Sequence, residues 1–226
     1  MNYTDHILKG FKMNHSIHNN ALIPEIKVYV LDTESLNGIE DQLLSKIPTY
    51  YREKYEHASN AEAKLQELGA GYLLYKYLKL DNNSTLTKNE CGKPKLDDDH
   101  IGENTEFSIS HSDNFVALAI SPIPVGVDIE NAERITLPIL RRVLPPADFE
   151  QIKNNSDKYT FAKYWTKVEA VLKARGTGFH LDPRTDASFM DGWYSESEVI
   201  NENHMLSCAA ERPFNMTVKW CNRPIL

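Results

Sequence analysis

The sequence of 226 residues contains no long hydrophobic run and no surplus of positive charge. No segment approaches the roughly 20 apolar residues that a membrane-spanning helix needs. The 25 Lys and Arg residues are outnumbered by 32 Asp and Glu residues, which gives a net charge of -7. Such a chain exerts no general attraction on nucleic acid or anionic lipid. We therefore expect neither as a partner, and any phosphate group must be met by a local cluster of cations.

Cysteine is scarce, and the N-terminus has no apolar signal segment. The three cysteines, Cys91, Cys208 and Cys221, are odd in number and form no close pair in the sequence. This pattern predicts neither a disulfide framework nor a zinc site, so we expect reduced thiols in a cytoplasmic protein. Residues 1–20 are rich in Asn, His and Lys and are predicted to form a loosely ordered extension.

Several motifs of nucleotide-binding and hydrolytic enzymes are also missing. The sequence has no Gly-x-Gly-x-x-Gly and no Gly-x-x-x-x-Gly-Lys-Ser/Thr, so dinucleotide and P-loop chemistry have no support. The pair Ser110-His111 suggests a hydrolase, but the Gly-x-Ser-x-Gly elbow is absent. Neighbouring residues on a strand also point to opposite faces, which argues against a nucleophile and base at these two positions.

The apolar pattern predicts an α+β fold made of two similar lobes. Residues 25–31 alternate with period two and read as a strand, whereas residues 58–80 carry apolar side chains at helical spacing. Further strands are expected near 106–112, 114–121 and 125–130. The stiff segment Ser121-Pro122-Ile123-Pro124 suggests a boundary. We predict an N-terminal lobe at 21–121 and a C-terminal lobe at 122–226, each with a small antiparallel sheet packed on helices.

A helix over about Lys158 to Arg175 is the most informative element of the second lobe. Its apolar stripe consists of Phe161, Trp165, Val168 and Leu172. Glu169 and Lys173 lie one turn apart on the flank of that stripe. Taken alone, they predict a surface ion pair that contributes about 0.2–0.5 kcal/mol. Gly176 and Gly178 follow as a stop signal, because glycine reaches left-handed backbone angles at little cost.

The strand Val127-Asp128-Ile129-Glu130 places two carboxylates on one face. Asp128 and Glu130 repel one another unless a cation lies between them. Hard oxygen ligands of this kind suit Mg²⁺, which binds one or two carboxylates together with substrate phosphates. The alternative is a solvated strand edge. A third carboxylate, Glu169, favours the metal site.

Polar residues in two other segments could bind phosphate. Ser110, His111 and Ser112 lie near the end of a predicted strand, and all three side chains can donate hydrogen bonds to phosphate oxygens. Lys93 is followed by Pro94 in a predicted turn, which would present the ammonium group on a rigid segment. A structural role for a single histidine at a strand end is equally open.

Read in chain order, four motifs together resemble the 4′-phosphopantetheinyl transferases of the larger, pseudodimeric Sfp-like type. These motifs are Gly92-Lys93-Pro94, Phe107-Ser108-Ile109-Ser110-His111-Ser112, Gly126-Val127-Asp128-Ile129-Glu130 and Trp165-Thr166-x-x-Glu169-Ala170-x-x-Lys173. The resemblance implies two lobes related by pseudo-twofold symmetry with the active site between them, which a monomer can form. It also implies transfer of phosphopantetheine from coenzyme A to a serine of an apo acyl or peptidyl carrier protein.

The same resemblance implies roles for individual residues. Mg²⁺ would be bound by Asp128, Glu130 and Glu169. Glu169 and Lys173 would be catalytic, the first as the base for the serine and the second beside the leaving phosphate. The contacts with coenzyme A would come from Lys54, Lys93, Pro94, Ser110, His111, Ser112 and Lys173.

The sequence departs from this family at two places. Val168 occupies the position before Glu169 where relatives usually have lysine, and Lys167 is shifted by one residue. Before Leu68-Gly69 the chain has Leu65-Gln66-Glu67 in place of basic or hydroxyl residues, for which Lys64 is a possible substitute. Arg134, Arg141 and Arg142 are candidates for contacting an acidic carrier protein. A non-catalytic module that binds coenzyme A or carrier domains, and a metal-dependent phosphohydrolase, are the alternative functions.

Overall fold

The computed structural model describes residues 23–96, 105–154, 157–178, 182–185 and 188–223. The predicted extension at 1–20 lies outside these residues. Within them, the strands are β1 (Glu25–Asp32), β2 (Leu86–Lys88), β3 (Pro94–Leu96), β4 (Glu106–Ser112), β5 (Phe115–Ser121), β6 (Val125–Asn131), β7 (Tyr194–Val199), β8 (His204–Ala210) and β9 (Asn215–Trp220). The helices are α1 (Glu40–Leu44), α2 (Thr49–His57), α3 (Ala61–Leu78), α4 (Leu137–Leu140), α5 (Pro146–Ile152) and α6 (Lys158–Arg175).

The first large sheet has the strand order β4-β5-β1-β9. β1, β4 and β5 pair antiparallel, whereas β9 joins β1 in parallel. Phe214 packs in the core just before β9, at the point where the chain leaves the second sheet for the first. One face of this sheet is covered by α3, whose buried side chains include Leu68, Leu73 and Leu74.

The second sheet has the order β6-β8-β7 and is antiparallel throughout. α6 covers its outer face, with Phe161, Val168 and Leu172 buried in that core. A third cluster of apolar side chains fills the space between the two sheets. It includes Val28 from the first sheet and Val127 from the second. The layers therefore run helix, sheet, sheet, helix, with a core at each interface.

This architecture confirms the predicted α+β class with small sheets packed on helices. The first sheet differs from the expected purely antiparallel pairing, because β9 runs parallel to β1. The lobe limits at 121 and 122 and the pseudo-twofold relation stay predictions. No helix in the described part of the chain is both long enough and apolar enough to cross a membrane.

Side-chain hydroxyls join the two sheets where β4 meets β6. Ser108, Ser110 and Ser112 alternate along β4 and are all buried. Their Oγ atoms accept hydrogen bonds from the backbone N–H groups of Val127 (3.1 Å), Ile129 (3.4 Å) and Asn131 (3.2 Å). A row of serines thus supplies the partners that a neighbouring strand would supply in a continuous sheet.

Candidate active site

The candidate site begins at a close approach between α6 and β6, and Gly126 makes that approach possible. A Cβ atom at this position would lie 1.8 Å from the carbonyl oxygen of Ala170 and 2.5 Å from the backbone nitrogen of Ala174. Both atoms belong to the helix backbone, so no side-chain movement would relieve the clash. Glycine inside a strand marks this kind of backbone contact. The helix therefore lies directly on the strand, which brings Glu169 and Lys173 beside Asp128.

Lys173 forms an ion pair with the buried Asp128 instead of a surface pair with Glu169. Its Nζ lies 2.6 Å from Asp128 Oδ1 and 2.8 Å from Ser110 Oγ, to which it donates a hydrogen bond. The Ser110 hydroxyl donates in turn to Asp128 Oδ1 at 2.8 Å. The Asp128 side chain is only 3% exposed, so this pair is far better shielded from water than an i, i+4 pair on a helix surface.

Two further carboxyl groups border this ion pair, and both have raised pKa values. Burial raises the pKa of Glu130 to about 7, and the charge of Asp128 adds to the effect, against a hydrogen bond from Ser112 at 3.1 Å. Burial likewise raises the pKa of Glu169 to about 7, together with Asp128, while Lys173 opposes the shift. Three carboxylates therefore share one partly buried region with a single ammonium group from α6.

This region fits a divalent cation by its chemistry. No group of three His, Cys, Asp or Glu side chains within the described ranges already has the arrangement of a metal site. However, Asp128 Oδ2 is buried and has no hydrogen-bond partner there. The donors that Asp128, Glu130 and Glu169 offer are all oxygens, as Mg²⁺ prefers. A cation among them would also offset the burial and the charge repulsion that raise the pKa values of Glu130 and Glu169.

His111 lies on the face of β4 opposite the serines and is exposed. Loss of water around the ring lowers its pKa, and the charges of Lys173 and Lys54 lower it further, against the opposing effect of Glu67. The charges of Lys54 and Lys173 therefore both act on the His111 ring. Its neutral form would present one N–H donor towards an anion between those cations.

Lys54 reaches this part of the molecule but is already paired. Its Nζ lies 2.6 Å from Glu67 Oε1, and the Glu67 side chain is only 14% exposed. The second oxygen, Oε2, is buried without a hydrogen-bond partner in the described chain. Lys64, the proposed substitute, lies over the ring of Tyr55 at 5.5 Å instead. The charge of Lys54 thus acts on His111, whereas the contact found for Lys64 is with Tyr55.

Lys93 and Pro94 lie at the opposite end of β6 from Glu130. Lys93 Nζ donates to the carbonyl oxygen of Val125 at 3.0 Å, and burial lowers the pKa of its ammonium group. Asn89 accepts from the backbone N–H of Lys93 at 2.8 Å and donates to the carbonyl oxygen of Gly176 at 2.7 Å. Through Asn89, the β2–β3 hairpin holds this lysine beside the C-terminal end of α6.

Comparison with known proteins finds similarity in the part of the chain that carries the candidate site. A family model described as the 4′-phosphopantetheinyl transferase superfamily matches residues 124–217, which include β6, α6 and the three carboxylates. This segment of the chain is similar to the 4′-phosphopantetheinyl transferase superfamily. Two of the four sequence motifs, at 126–130 and 165–173, lie inside the matched segment, and the other two precede it.

Three relatives show the extent of this similarity. The chain is 36% identical over 121 residues to the 4′-phosphopantetheinyl transferase gsp of Aneurinibacillus migulanus, covering 52% of this chain and 49% of that protein. It is 27% identical over 169 residues to a 4′-phosphopantetheinyl transferase of Bacillus subtilis, covering 69% and 73%. It is 32% identical over 95 residues to 4′-phosphopantetheinyl transferase Sfp of Bacillus subtilis strain 168, covering 41% of each. The chain thus spans about half the length of the first relative.

The departure from the superfamily pattern at Val168 has a clear structural setting. Val168 is 3% exposed and packs in the core beneath α6, so its side chain does not face solvent. Lys167 lies about 100° further round the helix, where burial and the neighbouring Lys163 lower its pKa. Among the candidate carrier contacts, Arg134 is engaged with Asp113, whereas Arg141 and Arg142 are exposed.

The structural roles of several residues near the candidate site were not predicted from the sequence. Ser108 joins the sheets, Gly126 admits the helix, and Glu67 pairs with Lys54. Thr166 on α6 shares a 2.6 Å hydrogen bond with the buried Ser207 on β8. The alternation of serines in β4 and the glycine within β6 were the available signals, because each is unusual in a buried strand.

Proposed function

We propose that the protein transfers the 4′-phosphopantetheine group of coenzyme A to a serine hydroxyl of an apo acyl or peptidyl carrier protein, with Mg²⁺. The serine oxygen forms a bond to the β-phosphorus, the pyrophosphate P–O bond breaks, and adenosine 3′,5′-bisphosphate leaves. The observation that carries this proposal is the meeting of three carboxylates and Lys173 on the β6–α6 contact, inside the segment that matches the superfamily. The similarity to enzymes named as 4′-phosphopantetheinyl transferases supports it.

The acidic and basic residues of the site have different proposed roles. Asp128, Glu130 and Glu169 would hold Mg²⁺, which when bound would neutralise the pyrophosphate and make its phosphorus more electrophilic. Lys173 stabilises the negative charge on the departing phosphate oxygen. Glu169 takes the proton of the serine hydroxyl as the new bond forms. The rigid contact between α6 and β6 sets the geometry, which is the main demand of phosphoryl-type transfer.

The remaining predicted residues are proposed to bind coenzyme A. His111 is exposed, and the positive charges of Lys54 and Lys173 act on its ring. We therefore assign it to donating a hydrogen bond to a phosphate oxygen of coenzyme A. Lys93 and Pro94 would line the nucleotide end. Ser110 and Ser112 are the exceptions. Their hydroxyls donate to Asp128 and Glu130, so we assign these two serines to orienting the carboxylates.

A product assay tests the proposal. Purified protein, coenzyme A, Mg²⁺ and an apo carrier protein should yield adenosine 3′,5′-bisphosphate only when the carrier is present. Release of phosphopantetheine without a carrier would instead indicate a phosphohydrolase. Binding of coenzyme A without turnover against a panel of apo carriers would indicate a binding module.

Glu169→Gln is the sharpest variant for this assay, since it keeps the size and removes the base and a metal ligand. We expect transfer to fall by at least 100-fold with an unchanged circular dichroism spectrum. Full activity of this variant would remove Glu169 from the mechanism.

A cytoplasmic location and a monomeric state are also proposed. Cell fractionation would test the first, and light scattering would test the second.

A further inference from the structure

Asp113 occupies the two-residue turn between β4 and β5, where Ser112 pairs directly with Phe115. Its φ of 51° lies in the left-handed region, which aspartate tolerates better than most residues. The turn stands at the end of the strand that carries Ser110, His111 and Ser112. Its side chain therefore projects at the edge of the candidate site.

Four elements meet at this one residue. The Asp113 carboxylate accepts from Asn131 Nδ2 at 2.7 Å and lies 3.0 Å from His204 Nε2, and it pairs with the guanidinium of Arg134. Its backbone carbonyl accepts from Gln66 Nε2 of α3 at 2.7 Å. The turn of the first sheet is thereby tied to the end of β6, the start of β8 and the helix α3.

One partner of Asp113, His204, packs against the apolar core between the two sheets. His204 is only 5% exposed, and its ring packs edge-on against Phe115 with 4.8 Å between ring centroids. Its other ring nitrogen, Nδ1, lies 3.0 Å from Asn201 Oδ1. A side chain held on both ring nitrogens and packed against an aromatic ring is a fixed support and not a mobile surface group.

The Asp113 contact is directly adjacent to a carboxylate of the candidate site. Ser112, the preceding residue, donates to Glu130 Oε2 at 3.1 Å and accepts from the backbone N–H of Asn131 at 3.2 Å. Asn131 follows Glu130 and is the residue whose side chain donates to Asp113. Ser112 at the end of β4 and Asp113 in the turn that follows thus hold two neighbouring residues of β6 through three hydrogen bonds.

We propose that Asp113 is a positioning residue for the transfer reaction, which fixes β4 against β6 and so sets the place of the Glu130 carboxylate. The inference rests on the proposed function for its kinetic and coenzyme A-binding parts, whereas the hydrogen–deuterium exchange of β6 is independent of it. Loss of the Asp113 carboxylate would leave Arg134, Asn131 and His204 without their shared acceptor, and the β4–β6 spacing at Glu130 would relax. Misplacement by about 1 Å costs about 100-fold in rate for a reaction that depends on positioning.

Two substitutions separate the side chain from the backbone. Asp113→Gly removes the carboxylate and suits the left-handed φ, so it adds no backbone strain. Asp113→Asn also tolerates this φ and keeps an oxygen acceptor for Asn131 and His204. Lys79→Gly is the matched control, because Lys79 is an exposed residue with a φ of 59° at the end of α3.

Three measurements decide the proposal: steady-state transfer, calorimetric binding of coenzyme A with and without Mg²⁺, and hydrogen–deuterium exchange of the peptide covering β6. For Asp113→Gly we expect kcat to fall at least tenfold, the Mg²⁺-dependent gain in coenzyme A affinity to shrink at least threefold, and β6 exchange to quicken. Asp113→Asn should recover most of each, and Lys79→Gly should match the wild type in all three.

A purely structural role would give a different result. If Asp113→Gly lowers the melting temperature but keeps wild-type kcat and Mg²⁺-dependent binding, the positioning role is refuted. Equal losses in Asp113→Asn and Asp113→Gly would refute the claim that the oxygen acceptors set the geometry. If the wild type transfers nothing to any carrier, the proposed function fails, whereas the binding and exchange measurements still decide whether Asp113 orders the metal-binding strand.

Discussion

Replacement of Gly126 by alanine should uncouple the two elements that carry the candidate site. The added Cβ would lie 1.8 Å from Ala170 O, and ordinary contact for such an atom begins at 3.4 Å. The difference, 3.4 − 1.8, means that the backbones must separate by about 1.6 Å along this contact if the helix moves rigidly. This displacement exceeds the roughly 1 Å that costs about 100-fold in rate.

The expected result is therefore a loss of transfer by at least about 100-fold, together with destabilisation of about 1–3 kcal/mol from overpacking. Activity should be measured as carrier modification per folded molecule, with denaturant unfolding of the same preparation. Weaker binding of Mg²⁺ should accompany the loss, because Glu169 lies on the helix and Asp128 on the strand.

Gly69→Ala, on α3, is the matched control. Its Cβ would meet methyl groups of Val116, Leu31 and Thr33 at 3.1–3.3 Å, which can move by a few tenths of an ångström. It should cost some stability and retain activity. Because the clash at Gly126 involves the backbone of Ala170, a second change of Ala170 to glycine should not rescue the variant. Rescue by Ala170→Gly, or wild-type activity of Gly126→Ala alone, would refute the close-contact argument.

Two further predictions concern the charges of the site. Because Glu130 and Glu169 have pKa values of about 7 in the folded protein against ordinary values of 4.5, the folded state holds extra protons between these limits. Without divalent cations, the contribution of these two groups to the free energy of unfolding should therefore fall as pH rises from 4.5 to 7. The measurement is denaturant unfolding in EDTA across this pH range. The double variant Glu130→Gln and Glu169→Gln should give a flatter dependence of the free energy of unfolding on pH than the wild type. An identical profile would contradict the shifted pKa values. Lys173→Met should destabilise the protein by about 3 kcal/mol, since Asp128 is left buried and unpaired, and adding Asp128→Asn should recover most of this loss. Strict additivity of the two substitutions would show that the pair is not coupled.

Local patterns predicted the elements that carry the site. Apolar spacing and the glycine stop placed a helix over about 158–175, and α6 spans Lys158–Arg175 with Gly176 at a φ of 68°. The alternation in Val127-Asp128-Ile129-Glu130 predicted that both carboxylates share one face of the strand, and in the structure α6 packs on that face. These features could be read because each depends on residues close in sequence.

Contacts between distant segments could not be read in this way. Lys54 and Glu67 lie on different helices, and the parallel pairing of β9 with β1 joins the two ends of the chain. The partner of Lys173 was also missed, since helical spacing favoured Glu169 while the close packing at Gly126 favours Asp128. In each case tertiary packing selects among partners that the local sequence leaves equivalent.

The central claim is best tested on the carrier protein itself. An apo carrier incubated with this protein, coenzyme A and Mg²⁺ should gain the mass of one phosphopantetheinyl group on a single serine, identified by peptide mapping. A carrier whose serine is changed to alanine should gain nothing, and EDTA should stop the reaction. Unchanged mass across a panel of acyl and peptidyl carriers, under conditions in which the protein is folded and binds coenzyme A, would contradict the account.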